Sequence, residues 1–448
     1  MSGGGRFAVV GGGVSGIAAA HYLARRGVAV ELLEASGELG GRVGSCRLGE
    51  HWLDFGGKNI GRRYHLFRRF TQAMGDNPYE YFGINSSQVR DGEIVTFDSS
   101  RRWRGVLDLG RRCSLRDLVR FARLCLAVKR KEENRYLGSP HFNALGDRLD
   151  DRPASAYFSA EFCRRMLRPM TVRMNGAEPD EVYMGNLGSN VAMILDSFDQ
   201  LRHGMKRVVD QFAATVEVRL GRRVESLLVR DGRIAGLRVA AATGEVEERD
   251  FAGVVLAVPA AEAAKLVEPV EPGLAGLLGE VRYYPVALVL AEYERAIFSP
   301  QVRALLFGEE EILSNAGSYS VDDLHLVRYT FSGRAARPLL ASGIEPEELL
   351  GRGEEILDRY FPVHARERRR FVARTFERGL CAYVPRYARF AERLEAAREA
   401  LPGLHLTGDY LRGASIEACF RAAAACVSRI VDPPVAADPP PGQAPWPA

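Results

Sequence analysis

The stretch Phe7-Ala-Val-Val-Gly-Gly-Gly-Val-Ser-Gly16 constrains this 448-residue chain more than any other. Apolar Phe7 to Val10 reads as a buried strand, Gly11-x-Gly13-x-x-Gly16 as the turn after it, and Ile17 to Ala24 as the following helix. Each glycine has its own task. Gly11 permits the tight turn, Gly13 lets the backbone approach a pyrophosphate with no Cβ in the way, and Gly16 brings the helix close to the strand. Val14 and Ser15 stand at the helix N-terminus, where unpaired N–H groups face the phosphates. Gly27 closes the helix and Val28 to Leu33 forms a second strand. Glu34, followed by Ala35, then sits where a carboxylate accepts hydrogen bonds from adenosine ribose hydroxyls. An acid there disfavours a 2′-phosphate and so argues against NADP. The competing reading is a glycine turn kept only for packing. Strand, spaced glycines, helix, second strand and terminal acid all fall in order within 34 residues, and that order favours a dinucleotide site.

The next segment, Glu34-Ala-Ser-Gly-Glu-Leu-Gly-Gly-Arg-Val43, resembles the extended FAD motif of the flavin amine oxidase, protoporphyrinogen oxidase and phytoene desaturase superfamily. The resemblance implies a non-covalent FAD whose pyrophosphate is wrapped by Gly40, Gly41 and Arg42, a guanidinium fork being suited to phosphate. Near the other end, Leu404-His-Leu-Thr-Gly-Asp-Tyr-Leu-Arg-Gly-Ala-Ser-Ile-Glu417 resembles the superfamily's closing motif. There Gly408 ends a strand, Asp409 holds the ribityl or pyrophosphate region, and amides near Ser415 and Ile416 face the flavin ring. Segments at His203–Asp210, Val224–Val229 and Val254–Pro259 resemble the return to the cofactor domain, with Val224 touching adenine and Ala257 ending a strand. Gly56, Gly57 and Lys58 correspond to a segment passing beside the flavin.

These matches imply an α/β fold, a Rossmann-type FAD-binding domain of the glutathione-reductase kind interleaved with an α+β substrate domain. The expected FAD-binding domain is discontinuous, over 1–60, 205–265 and 402–431, with the substrate domain over 61–204 and 266–401. The first excursion reads as mainly helical, with a hairpin at Val89–Phe97 turning at Asp91-Gly92. The second reads as strands at Pro285–Tyr293 and Leu324–Phe331 and a helix from Glu347 to Tyr360. The Pro- and Ala-rich tail, 432–448, cannot build a core and is expected to be disordered.

Composition suits a soluble two-domain enzyme: 46% hydrophobic and 26% charged residues supply ample core. The longest apolar runs, near Val254–Ala261 and Val286–Ala291, are too short to span a membrane, and with no signal sequence ahead of the first strand the expected location is cytoplasmic. Seven cysteines without a C-x-x-C indicate neither a disulfide framework nor a zinc site, and no metal is expected. Cys381 lies near the region where some amine oxidases tether flavin, but its surroundings do not match.

A net charge of +4 predicts no nucleic-acid partner, yet residues 101–131 hold eleven Lys and Arg against two acids. Ser114 can cap a helix whose Leu115, Leu118, Val119, Ala122, Cys125 and Leu126 recur at helical spacing. This is either a bundle helix with a solvated face, the favoured reading, or a basic amphipathic helix making peripheral membrane contact or drawing in anions. The run Arg366–Arg370 reads as surface.

Two candidate catalytic residues emerge. Only five lysines stand against 56 arginines, which singles out Lys58. It would position a substrate carboxylate, orient a water or steady the reduced ring, or it is an exposed loop lysine. Tyr383 corresponds to a segment lining the ring's re face, with packing as the alternative. His51, a lone strand histidine, reads as structural in preference to a proton carrier. Many amine oxidases place a lysine in the strand matched by Tyr284–Tyr293; Leu288 stands there, as apolar residues do in protoporphyrinogen oxidases and desaturases. The expected chemistry is therefore FAD-dependent dehydrogenation or desaturation of a mostly apolar or ring-containing small molecule, with oxygen, a quinone or another electron acceptor. Amine oxidation at a C–N bond is the alternative. From other classes stand a Rab GDP-dissociation-inhibitor-like binding protein, against which the intact phosphate loop argues, and a non-redox flavin mutase.

Overall fold

The computed structural model describes residues 5–82, 85–90, 92–98 and 112–431. At one end lies a five-stranded parallel sheet ordered Glu217–Arg219, Val30–Leu33, Phe7–Val10, Gly253–Leu256 and Leu404–Leu406. Its inner strands are buried on both faces, which explains their apolar sequence, broken only by Glu31, whose carboxylate pairs with Arg6 and Arg249. From the central strand the chain passes first to one neighbour, Val30–Leu33, and much later to the other, Gly253–Leu256. The crevice outside the carboxyl end of Phe7–Val10 is thus the topological switch point, the usual ligand position in such sheets. Helix Val14–Ala24 packs on the closing helix Ile416–Ser428; buried Ala18, Ala19 and Ala20 on the first and Ala423 on the second leave little side-chain bulk between them.

Strands Arg222–Arg230, Arg233–Ala241 and Val246–Asp250 form a small antiparallel sheet tied back to the cofactor end, where Arg222 N–H donates to the Glu34 carbonyl at 2.8 Å. A seven-stranded sheet runs Arg368–Tyr383, Arg282–Tyr293, Leu326–Phe331, Leu313–Ser318, Ala304–Leu306, Asn85–Arg90 and Glu93–Asp98. The strand, helix and hairpin expected in the middle of the chain are found there, with the helix at Pro346–Asp358. Asp91 of the hairpin turn and the 432–448 tail lie outside the described residues. One face of this sheet, through Val286, Leu288, Leu290 and Leu326, packs on Cys46, Leu53 and Phe55 from the hairpin Ser45–Leu48 and His51–Asp54 and the residue after it. That contact joins the seven-stranded sheet to the segment after the glycine loop.

Two sequence expectations change. Ser114 does cap helix Leu115–Arg130, but the buried face is Asp117, Leu124 and Val128, while Leu115, Val119 and Leu126 of the expected core stripe are exposed. Apolar residues occur on two sides of this helix, and Asp117 decides between them: its carboxylate accepts from the hydroxyls of Ser114 and Ser159 at 2.7 and 2.6 Å. The arginines of 366–370 are not simply solvated, because Arg368 is largely buried beside Glu354 and Arg370 pairs with Glu292 at 2.7 Å.

Burial pushes His21, which packs edge-on against Phe70, down to about 4, and does the same to His405. Unfolded histidine takes its proton near 6.5, so between pH 6.5 and 4 the unfolded state binds up to two more protons than the folded one. Stability should therefore be complete above 6.5 and fall as pH drops toward 4, at roughly 1.4 kcal/mol per pKa unit for each histidine. Urea denaturation across that range checks this, and His21→Phe should flatten the dependence.

Candidate cofactor and substrate site

The phosphate loop follows directly from its glycines. Gly11 adopts φ 103°, which a side chain would strain. A Cβ on Gly16 would lie 1.8 Å from the Gly11 carbonyl oxygen, so helix and turn meet without space between them. A Cβ on Gly13, in contrast, would meet no atom within 4 Å. Gly13 therefore faces an open cradle, at the N-terminus of helix Val14–Ala24, which no side chain caps. Ser15 is buried in its first turn. Gly40 and Gly41, both at positive φ, fold over the loop: Gly40 N–H donates to the Gly12 carbonyl at 2.9 Å, and Gly13 and Gly40 form a parallel bridge.

Glu34 stands at the loop as expected and has a further task. Its Oε2 accepts from Gly12 N–H at 2.6 Å and its Oε1 from the Ser36 N–H and hydroxyl at 2.8 Å. Ala35 is exposed beside it, Val224 is half-buried at the near end of the small sheet, and Ala257 lies against Gly11 and Gly16. Arg42 reaches across to the closing segment, where its Nη1 donates to Asp409 Oδ2 at 2.7 Å, and the Tyr283 hydroxyl donates to Asp409 Oδ1 at 2.8 Å. Gly408 and Asp409 are buried. Ser415 caps the closing helix, accepting from Ala418 N–H at 3.1 Å, and buried Ile416 packs where a Cβ on Gly57 would meet it and Val43. Gly56 lies so close to the Arg42 carbonyl that a Cβ would come within 2.3 Å. Open cradle, uncapped helix terminus, acid and guanidinium fit a dinucleotide carrying a pyrophosphate.

Lys58 is 7% exposed, which excludes the exposed-loop reading. Its Nζ has no hydrogen-bond partner and lies 4.3 Å from the Phe82 ring centre and 4.4 Å from that of Tyr319. Burial and the neighbouring Arg328 hold its pKa well below the ordinary lysine value, against a smaller opposing pull from Asp54. Asp54 is itself occupied: it accepts from Ser45 Oγ at 2.6 Å and from Met205 N–H at 3.1 Å, and burial raises its pKa. Tyr319 is fixed by the Asp54 N–H, which donates to its hydroxyl at 2.7 Å.

Tyr383 belongs to the core at 2% exposure, so its ring does not line an open pocket wall. It carries a positive φ of 63°, and its hydroxyl accepts from Ala414 N–H at 2.7 Å, just before Ser415 and Ile416. Strain at a non-glycine residue, paid back by one backbone contact, suits a positioning role for that loop. Cys381 is fully buried, its thiol pushed well up by burial, with the Asn175 amide donating to its carbonyl at 2.7 Å. His51 is exposed at the start of a hairpin strand, away from these groups. Among the described residues no cluster suits a metal ion, and no helix is long and apolar enough to cross a membrane.

Sequence reasoning missed Tyr283 and three arginines, Arg173, Arg303 and Arg328. Arg328 did leave a signal, a lone charge within the apolar strand Leu326-Val-Arg-Tyr-Thr-Phe331. The other two become visible only once the chain is folded around Lys58.

A parallel sheet with an open phosphate cradle at its switch point, joined to a second sheet, is the arrangement of an FAD-binding protein. The chain belongs to the flavin-containing amine oxidoreductase family, whose model matches residues 14–431. It is 33% identical over 82 residues to an L-amino-acid oxidase of Sistrurus catenatus edwardsii, covering 18% of this chain and 16% of that protein. With a protein of Mycobacterium tuberculosis assigned as a flavin-containing monoamine oxidase it shares 28% identity over 270 residues, 56% of each chain. The chain thus covers from about a sixth to about half of these relatives. Among solved structures, one assigned as a protoporphyrinogen oxidase from Exiguobacterium sp. 255-15 superposes with a TM-score of 0.71 at 18% identity, over 96% of this chain and 99% of that one.

Proposed function

We propose that this oxidoreductase removes a hydride from a ring-containing, largely apolar small molecule, by dehydrogenation or desaturation. The observation that carries the reading is the dry, aromatic setting of Lys58 between Phe82 and Tyr319, beside the apolar cluster that contains Leu288. FAD, when bound, supplies the two-electron acceptor. Gly11, Gly13, Val14, Ser15, Gly16, Gly40 and Gly41 would cradle its phosphates; Glu34, Ala35, Val224 and Ala257 would bound its adenosine half. Arg42 and Asp409, with Gly56, Gly57, Ser415 and Ile416, would set its position. Tyr383 would hold the 413–416 loop in place. Lys58 Nζ, uncharged at lower pH than an ordinary lysine, would accept the proton that leaves the atom next to the oxidised carbon. A rigid groove that excludes water and holds the substrate in an attack-ready pose contributes most of the remaining acceleration. Oxygen or a quinone is the proposed terminal acceptor, and the cytoplasm the proposed location.

Oxidation of a C–N bond is a second reading, favoured by the amine and amino-acid oxidases among the relatives. Anaerobic mixing of the yellow holoenzyme with porphyrinogens, polyenes and amines separates the two. The class that bleaches the flavin band names the bond, and bleaching by amines alone would exclude the first reading. The bleaching rate should rise with pH through the lowered Lys58 pKa and then level off, and Lys58→Met should remove that limb.

A further inference from the structure

Around Lys58 three arginines gather without an ion-pair partner among the described residues, with only Asp54 and Asp323 opposing their charge at Lys58. Arg328 is half-buried, its Nε shielded from solvent and without a partner. Arg303 donates Nη2 to the Phe82 carbonyl at 2.9 Å, but its Nη1 is buried and unpaired. Arg173, on helix Arg168–Asn175, makes no polar contact among the described residues. None of the three arginines, nor Lys58, forms an ion pair among those residues. The groups repel one another: Arg328 acts on Lys58, Arg303 acts on Lys58, and Arg173 acts on Arg328, whose pKa burial has already pushed down to about 10. Of the two carboxylates that act on Lys58, Asp54 is taken up by Ser45 and Met205, and Asp323 accepts from the Ser320 hydroxyl. Elsewhere buried arginines are matched, Arg168 by Glu178 at 2.8 Å and Arg135 by Asp196 at 3.1 Å.

Unpaired buried cations are costly, and several facing one space are costlier still, so such a set is retained where an anion completes it. The guanidinium fork matches a carboxylate in both charge and plane. We propose that the substrate carries a carboxylate, held by Arg328 and Arg173 with Lys58 and Arg303 at its flanks, while Phe82 and Tyr319 cover its ring. The proposal rests on this groove being the substrate site, and it names what the oxidised molecule must carry: a ring and an acid group, not a bare amine. Three arginines, whatever the charge on Lys58, would repel a protonated amine that lacked a compensating acid.

Titrating the flavin band of the holoenzyme with benzoate, benzamide and benzylamine tests this without turnover. Benzoate should bind at least ~10-fold more tightly than either neutral benzamide or cationic benzylamine. Arg328→Gln should weaken benzoate by ~10- to 100-fold and leave benzamide nearly unchanged. The same variant should melt at higher temperature than the parent without ligand, because it removes an uncompensated charge; an arginine with a merely structural role would lower it. Where Arg328→Gln does not fold, Arg173→Gln, on a different element, gives the same reading. Benzylamine binding as tightly as benzoate would overturn the proposal. So would unchanged benzoate affinity in a folded variant whose flavin potential falls, since the cations would then serve only the reduced ring. Bleaching by a neutral polyene with no response to benzoate would remove the acid group while leaving the redox reading intact.

Discussion

Gly13→Val is expected to give a folded protein without flavin, whereas Gly16→Val should give no folded protein at all. The two positions are three residues apart in one loop and differ only in what a side chain would meet. At Gly16 the first added carbon overlaps the Gly11 carbonyl oxygen at 1.8 Å and approaches its carbon at 3.0 Å. Backbone there cannot move without parting the first helix from the first strand, so the loss should exceed ~4 kcal/mol. At Gly13 the backbone is an ordinary extended one, φ −74°, and no atom lies within 4 Å of the added carbon. Valine fits the empty protein but fills the place of the pyrophosphate, and a loss of at least ~100-fold in FAD affinity, about 2.7 kcal/mol, is expected. Circular dichroism with visible absorption after reconstitution reads both outcomes. Normal flavin retention by folded Gly13→Val would contradict the cradle.

Asp409→Ala should be the most damaging single change outside that loop. One carboxylate, 3% exposed, serves Arg42 from the start of the chain and Tyr283 from its middle. Truncation leaves a half-buried guanidinium and a buried hydroxyl without their acceptor, and a cost of about 3 kcal/mol follows from such orphaned groups. Flavin content should fall along with thermal stability, since Arg42 would lose the contact that orients it. Asp409→Asn keeps an acceptor for one partner and should lie between. An Asp409→Ala protein with parental melting temperature would show that the ion pair does not join the two ends of the chain.

How much of this was readable in advance depends on range. The glycine loop, the acid at Glu34 and the Gly40-Gly41-Arg42 turn are local devices, in which each residue type answers a demand made by its own few neighbours. The helix at Leu115–Arg130 was local too, and its Ser114 cap was legible. Its buried face was not, because that was chosen by a contact between Asp117 and Ser159, 42 residues away. Lys58 stood out by its rarity, but whether it was exposed or caged depended on Phe82 and Tyr319, which come from separate parts of the chain. Tyr383 was singled out from the sequence, and only the structure shows its ring buried in the core with its hydroxyl accepting from Ala414 N–H.

The amino-acid sequence by itself pointed to a dinucleotide loop at the first strand with an acid, Glu34, beside it, and it placed the chain among flavin oxidoreductases. Those features are written in short-range spacing, where backbone conformation and helix dipole act directly. Only the tertiary structure decided the charge around Lys58, because Arg173, Arg303, Arg328 and Lys58 are far apart along the chain and come to act on one another only in the folded protein. A cation's meaning depends on whether an anion lies beside it, and spacing along the chain does not carry that information.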